Sequence, residues 1–105
     1  MPKPRTWVHN LLVELTGYED RVYFNPPETV KMKYPCIVYD VADLGSRHAD
    51  NIPYYRYDTY TVTHIYPSEK DRDISLKIAE TPHFAFDRRF HSDNLHHDVF
   101  TLKVY

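Results

Sequence analysis

The segment HSDNLHHDVF (91–100) concentrates His91, Asp93, His96, His97 and Asp98. Imidazole together with carboxylate suits zinc, iron or manganese, and a catalytic zinc takes three protein ligands around an open position. The spacing works against such a site. Neighbours on a strand point to opposite faces, so at most one of His96 and His97 can join His91 or Asp93. With Phe100 turned to a core, His96 and Asp98 share its parity and His97 shares that of Val99. A polar turn at Ser92-Asp93-Asn94 running into a strand accounts for the same residues. The expectation is therefore no bound metal and no cofactor.

Other chemistry-bearing residues face the same test. In RHADN (47–51), His48 and Asp50 have the types of an acid–base pair, but no serine or cysteine is placed beside them as a nucleophile, and both residues form turns. His64 has the parity of Tyr60 and Val62, which predicts a half-buried, hydrogen-bonded histidine. Asp87-Arg88-Arg89 has the chemistry to meet a phosphate or a partner's carboxylate, and equally forms a solvated ion pair. Cys36 is the single cysteine and lies in the apolar run YPCIVYDV, so an internal disulfide is excluded and a buried, small-hydrophobe role is expected. A non-enzymatic chain is the reading these residues favour. Its rival of another class is a small metal-dependent hydrolase or nuclease using His91, Asp93, His96 and Asp98.

Composition narrows the choice. A chain of 105 residues predicts a single domain over 1–105 that buries roughly two-thirds of its unfolded surface. The formal charge of −2 argues against a surface built to wrap a phosphate backbone. Two glycines, Gly17 and Gly45, cannot make a glycine-rich phosphate cradle. No stretch approaches the roughly 20 apolar residues that span a bilayer, and the N-terminus lacks the apolar core of a signal peptide, so no membrane association is expected. Ten tyrosines and five phenylalanines suit half-buried strands and protein interfaces alike.

The elements that must position these residues follow from periodicity. Thr6 as N-cap, then Trp7, Val8, Leu11, Leu12 and Leu15 at spacings of three to four, then Gly17, predict an amphipathic helix over 6–16. Val22-Tyr23-Phe24 makes a short strand stopped by Pro26-Pro27. Cys36 to Val41 alternates as a strand with two largely apolar faces, and 43–53 reads as a long loop. The run YYRYDTYTVTHIYP from Tyr54, ended by Pro67, is the longest β-like stretch. Ser68 with Asp71 opens a helix to about Glu80, with Ile74 and Ile78 buried. Phe84 and Phe86, and then Phe100, Leu102 and Val104, alternate as the two strands of a terminal hairpin. The result is an α+β domain with two helices on a mostly antiparallel sheet.

Taken in order, the YPCIVY strand, HADN at 48–51, YTVT at 60–63, FDR at 86–88 and SDNLHHDVFTL at 92–102 resemble a family of small proteins of long-tailed bacteriophages and prophages. These are the tail terminator or tail completion proteins, also described as minor capsid or head–tail joining proteins. The resemblance covers roughly residues 4 to 105. It implies a structural virion subunit that assembles into a ring, a hexamer, at the head-proximal end of the tail tube. There it ends tail polymerisation and joins the tail to the neck; a connector or stopper of the neck is the alternative within the class. The implied partners are further copies of the chain, the tail tube protein and a neck or head-completion protein, with DNA passing through the lumen without specific binding. A ring of head-to-tail contacts needs two unlike patches on each subunit. His48, Asp50, Asn51, Tyr54, Tyr55, Tyr57, Arg88, Asp93 and Asn94 are the expected interface residues.

Overall fold

Two apolar stripes of helical period and a set of alternating runs dictate the architecture. The computed structural model describes residues 3–27, 29–43 and 57–105, with Asp43 described only in its backbone. Helix α1 spans Arg5–Thr16 and is followed by strands β1 (Val22–Phe24), β2 (Cys36–Asp43) and β3 (Asp58–Tyr66). A 3-10 turn at Glu69–Asp71 leads into helix α2 (Arg72–Ala79), followed by strands β4 (Phe84–Ser92) and β5 (Leu95–Val104). The strands form one five-stranded sheet in the order β1-β2-β3-β5-β4. Only the β1–β2 pair is parallel. This is the α+β arrangement expected, a mostly antiparallel sheet with two helices.

The register explains the core. Tyr39 pairs with Val62, Val62 with Phe100, and Phe100 with Phe86, so these residues share one face of the sheet. Val8 and Leu12 of α1 and Ile78 of α2 pack into the same cluster as Ile37, Tyr39, Tyr60, Val62, Phe100 and Leu102, so both helices cover that face. Removing such apolar surface from water contributes roughly 25 cal/mol per Å², the main stabilising term for the sandwich. The opposite face carries Thr59, Thr61, Thr63 and Thr101, half-buried β-branched residues suited to a pleated surface. Cys36 is fully buried, as expected, and the resulting desolvation pushes its thiol up to about 12.

Several local expectations are corrected. Pro4, not Thr6, occupies the N-cap of α1, with no side-chain cap; Pro4 O accepts from the Trp7 and Val8 N–H groups, and Thr6 is an exposed residue of the first turn. Proline's fixed φ places it well at a helix start, which removes the need for a hydroxyl cap. Trp7 sits at the margin of the apolar stripe, 40% exposed. Gly17 does end the helix, at φ 76°, donating its N–H to Val13 O at 2.7 Å. Ser68 caps through its Oγ, which accepts from Lys70 N–H, but the α-helix proper begins only at Arg72 because the intervening turn is 3-10. The strand predicted from Tyr54 is described from Tyr57 onward and begins at Asp58; the loop expected at 43–53 lies almost wholly outside the described residues.

Candidate functional site

The β4–β5 hairpin turns on Asp93 and Asn94, both in the left-handed region at φ 54° and 62°. Two consecutive positive φ values make a two-residue turn whose twist matches that of the flanking strands, and short polar Asp and Asn tolerate them best after glycine. From that turn β4 runs back along the outer edge of the sheet, and every residue from Ala85 to Ser92 is exposed. A ladder irregularity falls at Asp87: Phe86 pairs with Phe100, but Arg88 pairs with Val99. This β-bulge reverses the parity of everything after it. Arg89, not Arg88, therefore pairs with Asp98 on the helix-covered face.

That shift builds a polar network between β3, β5 and α2. Asp98 is 4% exposed, and its Oδ2 accepts from the Tyr66 hydroxyl at 2.7 Å. Arg89 Nη2 donates to the Tyr66 hydroxyl (3.0 Å) and to Glu69 Oε1 (3.1 Å). Its Nε lies 3.2 Å from Asp98 Oδ1, near enough for ion pairing, yet off line, so Oδ1 has no hydrogen bond. Burial, followed by the bond to Asp98, pushes the Tyr66 phenol up to about 12. Beside it His64, fully buried rather than half-buried, contacts Ser75 Oγ through Nδ1 (2.7 Å) and the Tyr18 hydroxyl through Nε2 (3.1 Å). A serine–histidine contact is the geometry of an activated nucleophile. Here burial lowers His64 to about 4 and Ser75 is 5% exposed, so the pair is a weak base beside a shielded hydroxyl that satisfy each other.

Outward from Asp98 the network opens into a groove of about 440 Å³ between α2 and β4, lined by Arg72, Ser75, Leu76, Ala79, Phe86, Arg89, Asp98 and Phe100. Leu76 and Phe86 are 52% and 57% exposed on its rim. Phe86 shares the parity of Phe84 and faces the helix side, yet Phe84 is buried and Phe86 is not. Phe90, on the other face of the same strand, is 43% exposed and stacks on His97 at 4.5 Å.

The sequence-predicted residues separate into three groups. His48, Asp50, Asn51, Tyr54 and Tyr55 lie outside the described residues. Arg88, Asp93 and Asn94 are all exposed on the hairpin but apart from one another, Asp93 and Asn94 at the turn and Arg88 five residues before it in an ion pair with Asp87 at 3.0 Å. Tyr57 stands apart at the far end of the sheet, half-buried, its ring 5.4 Å from that of Tyr105 and beneath Lys103. The histidine-rich stretch is dispersed: His96 lies 5.2 Å from Tyr66, ring to ring, on the helix side, His97 meets Phe90 on the other face, and Asp98 is in the network. Among the described residues no three His, Cys, Asp or Glu side chains are placed to share a metal ion. Leu76 and Phe86 were missed as site residues, and Arg89, named only within Asp87-Arg88-Arg89, was not singled out over Arg88 because no sequence pattern marks a one-residue bulge.

Exposed apolar side chains also occur at the opposite edge and in the connection that leads from it into β2. Phe24 of β1 is 37% exposed, and Val30 and Tyr34 of the connection that follows are 39% and 40% exposed. Lys33 N–H donates to the Tyr23 hydroxyl at 3.1 Å, tying that connection to β1. Arg5 covers the Phe24 ring at 4.7 Å and also donates to the Tyr39 hydroxyl at 3.0 Å. No helix among the described residues is long and apolar enough to cross a membrane. Comparison with protein-family models finds no match, and comparisons with curated proteins and with solved structures find none either.

Proposed function

We propose that this chain is a ring-forming structural subunit of a long-tailed phage particle, seated at the head-proximal end of the tail tube, where it stops tube growth and joins tail to neck. One observation supports the reading beyond the sequence resemblance: unlike apolar side chains are exposed on the two outermost strands of a single sheet, Phe86 and Phe90 on β4 and Phe24 on β1. A two-fold dimer needs one self-complementary patch, whereas a closed head-to-tail ring needs two that match each other. A buried, hydrogen-bonded core gives such a subunit the rigidity to carry load between tube and neck. Its partners are further copies of itself, six to a ring, together with the tail tube protein and a neck protein.

Light scattering and negative-stain imaging of the purified chain test the stoichiometry, and immunogold labelling of particles tests the position. The expected result is a hexameric ring in solution or on tube protein, with label at the junction of tail and neck. A chain that stays monomeric at all concentrations and is absent from particles sinks the proposal.

A further inference from the structure

We propose that His91 and His96 form a two-imidazole clamp for a divalent late transition metal ion, copper(II) foremost, at a site independent of the ring reading above. The two residues lie directly opposite each other on β4 and β5, one pair in from the Asp93-Asn94 turn. In a two-residue hairpin the pair flanking the turn, here Ser92 and Leu95, exchanges hydrogen bonds and the next pair does not, and side chains of a non-hydrogen-bonded pair stand closest. The ring centroids of His91 and His96 are 4.8 Å apart, with the planes tilted by 52°. An imidazole nitrogen binds such an ion at about 2.0 Å, which sets two rings on adjacent positions of one ion with centroids about 5 Å apart. The tilt matters as well. Each nitrogen lone pair lies in its ring plane, so two rings stacked flat cannot aim at one point. His97 next in the chain is stacked at 12° on Phe90, on the other face of the sheet.

Both rings are accessible, His91 exposed and His96 half-buried. The hydrogen bonds that histidine rings make among the described residues belong to His9, His64 and His97, which leaves the nitrogens of His91 and His96 for a ligand. Glu69 Oε1 lies 3.6 Å from His96 Nε2, beyond hydrogen-bond reach. Arg89 on the same face is held by Glu69 at 3.1 Å and by Asp98 at 3.2 Å, so its charge is offset where a dication would sit. Among the described residues no third His, Cys, Asp or Glu side chain is placed to complete the site. Two imidazoles are too few for a structural zinc, which takes four protein ligands, or for a catalytic zinc, which takes three. Copper(II) binds nitrogen most tightly among the divalent ions of its row, and water would fill its remaining positions. Such an ion ties β4 to β5 beside the turn and braces the exposed edge strand.

Copper(II) alone, titrated into the full chain and followed by calorimetry and electron paramagnetic resonance, tests the clamp. The expected result is one equivalent bound with two nitrogens in its hyperfine pattern. His91→Asn and His96→Asn should each bind roughly tenfold more weakly or worse, while His97→Asn binds as the parent does. Saturating copper(II) should also raise the melting midpoint of the parent chain and not that of His91→Asn, because the ion holds only the folded hairpin in this geometry. Should His96→Asn fail to fold, since its ring also lies 5.2 Å from that of Tyr66, the exposed His91→Asn decides. Absence of binding, an affinity unchanged in His91→Asn, an equal loss in His97→Asn, or a parent midpoint that copper(II) does not raise overturns the clamp, and each leaves the ring reading untouched.

Discussion

At the scale of single residues, the buried polar pairs carry the most testable chemistry. His64 has an ordinary value of 6.5 when exposed and is lowered to about 4 by burial. Between those values the unfolded chain binds a proton that the folded chain refuses, so stability rises with pH there and is lost as pH falls from 6.5 toward 4. The loss is on the order of 3 kcal/mol, and thermal melts across that range should show it. His64→Gln, which cannot titrate, should flatten this part of the profile even though it lowers stability overall; an unchanged slope would remove His64 as the cause. Asp98→Ala should destabilise by about 3 kcal/mol in urea unfolding, because it strands the Tyr66 hydroxyl and leaves Arg89 without its buried partner. These roles were only partly legible in the sequence. Parity alone placed His64 on the core face and separated His96 from His97. The near-complete burial of Asp98 was not legible, since Asp in a polar run reads as surface until the strand beside it is known.

At the scale of elements, periodicity was informative and partner choice was not. The stripe of Val8, Leu11, Leu12 and Leu15 and the alternation of Tyr60, Val62 and His64 announce a helix and a strand whatever they pack against. The parallel pairing of β1 with β2 and the placing of β5 between β3 and β4 depend on long-range contacts that no local pattern encodes. The bulge at Asp87 had the largest consequence, since unbroken alternation would have sent Arg88 to Asp98. The C-terminal end of α1 is a better-determined feature. Gly17 at φ 76° has open space around the position a Cβ would take, so Gly17→Ala costs backbone strain alone. A loss of about 1 kcal/mol in chemical denaturation is expected. A much larger loss would mean that the turn after α1 also rearranges.

At the scale of the whole molecule, the proposed ring would use the two edges of the sheet. Contacts through Phe86 and Phe90 on one edge and Phe24 on the other would draw on apolar burial, and the charges around Arg89 are already internally balanced. Assembly should therefore change little between low and moderate salt, because screening acts on long-range charge and leaves hydrophobic contact intact. Sedimentation at two salt concentrations checks this, and a steep salt dependence would point instead to exposed charges such as Arg88.

The bulge has a further consequence for solubility. A regular nine-residue strand with bare backbone on its outer side and phenylalanines on both faces is a template for indefinite strand stacking. Asp87 interrupts that template with an extra, unpaired residue and a negative charge. Deleting Asp87 would restore a continuous ladder while keeping Arg89 opposite Asp98, so the fold should survive. The protein should nonetheless precipitate or form thioflavin-positive fibres far sooner than the parent chain, an outcome visible by turbidity at working concentration. One residue that contributes nothing to the ladder would then separate a chain that stays dispersed from one that aggregates without limit.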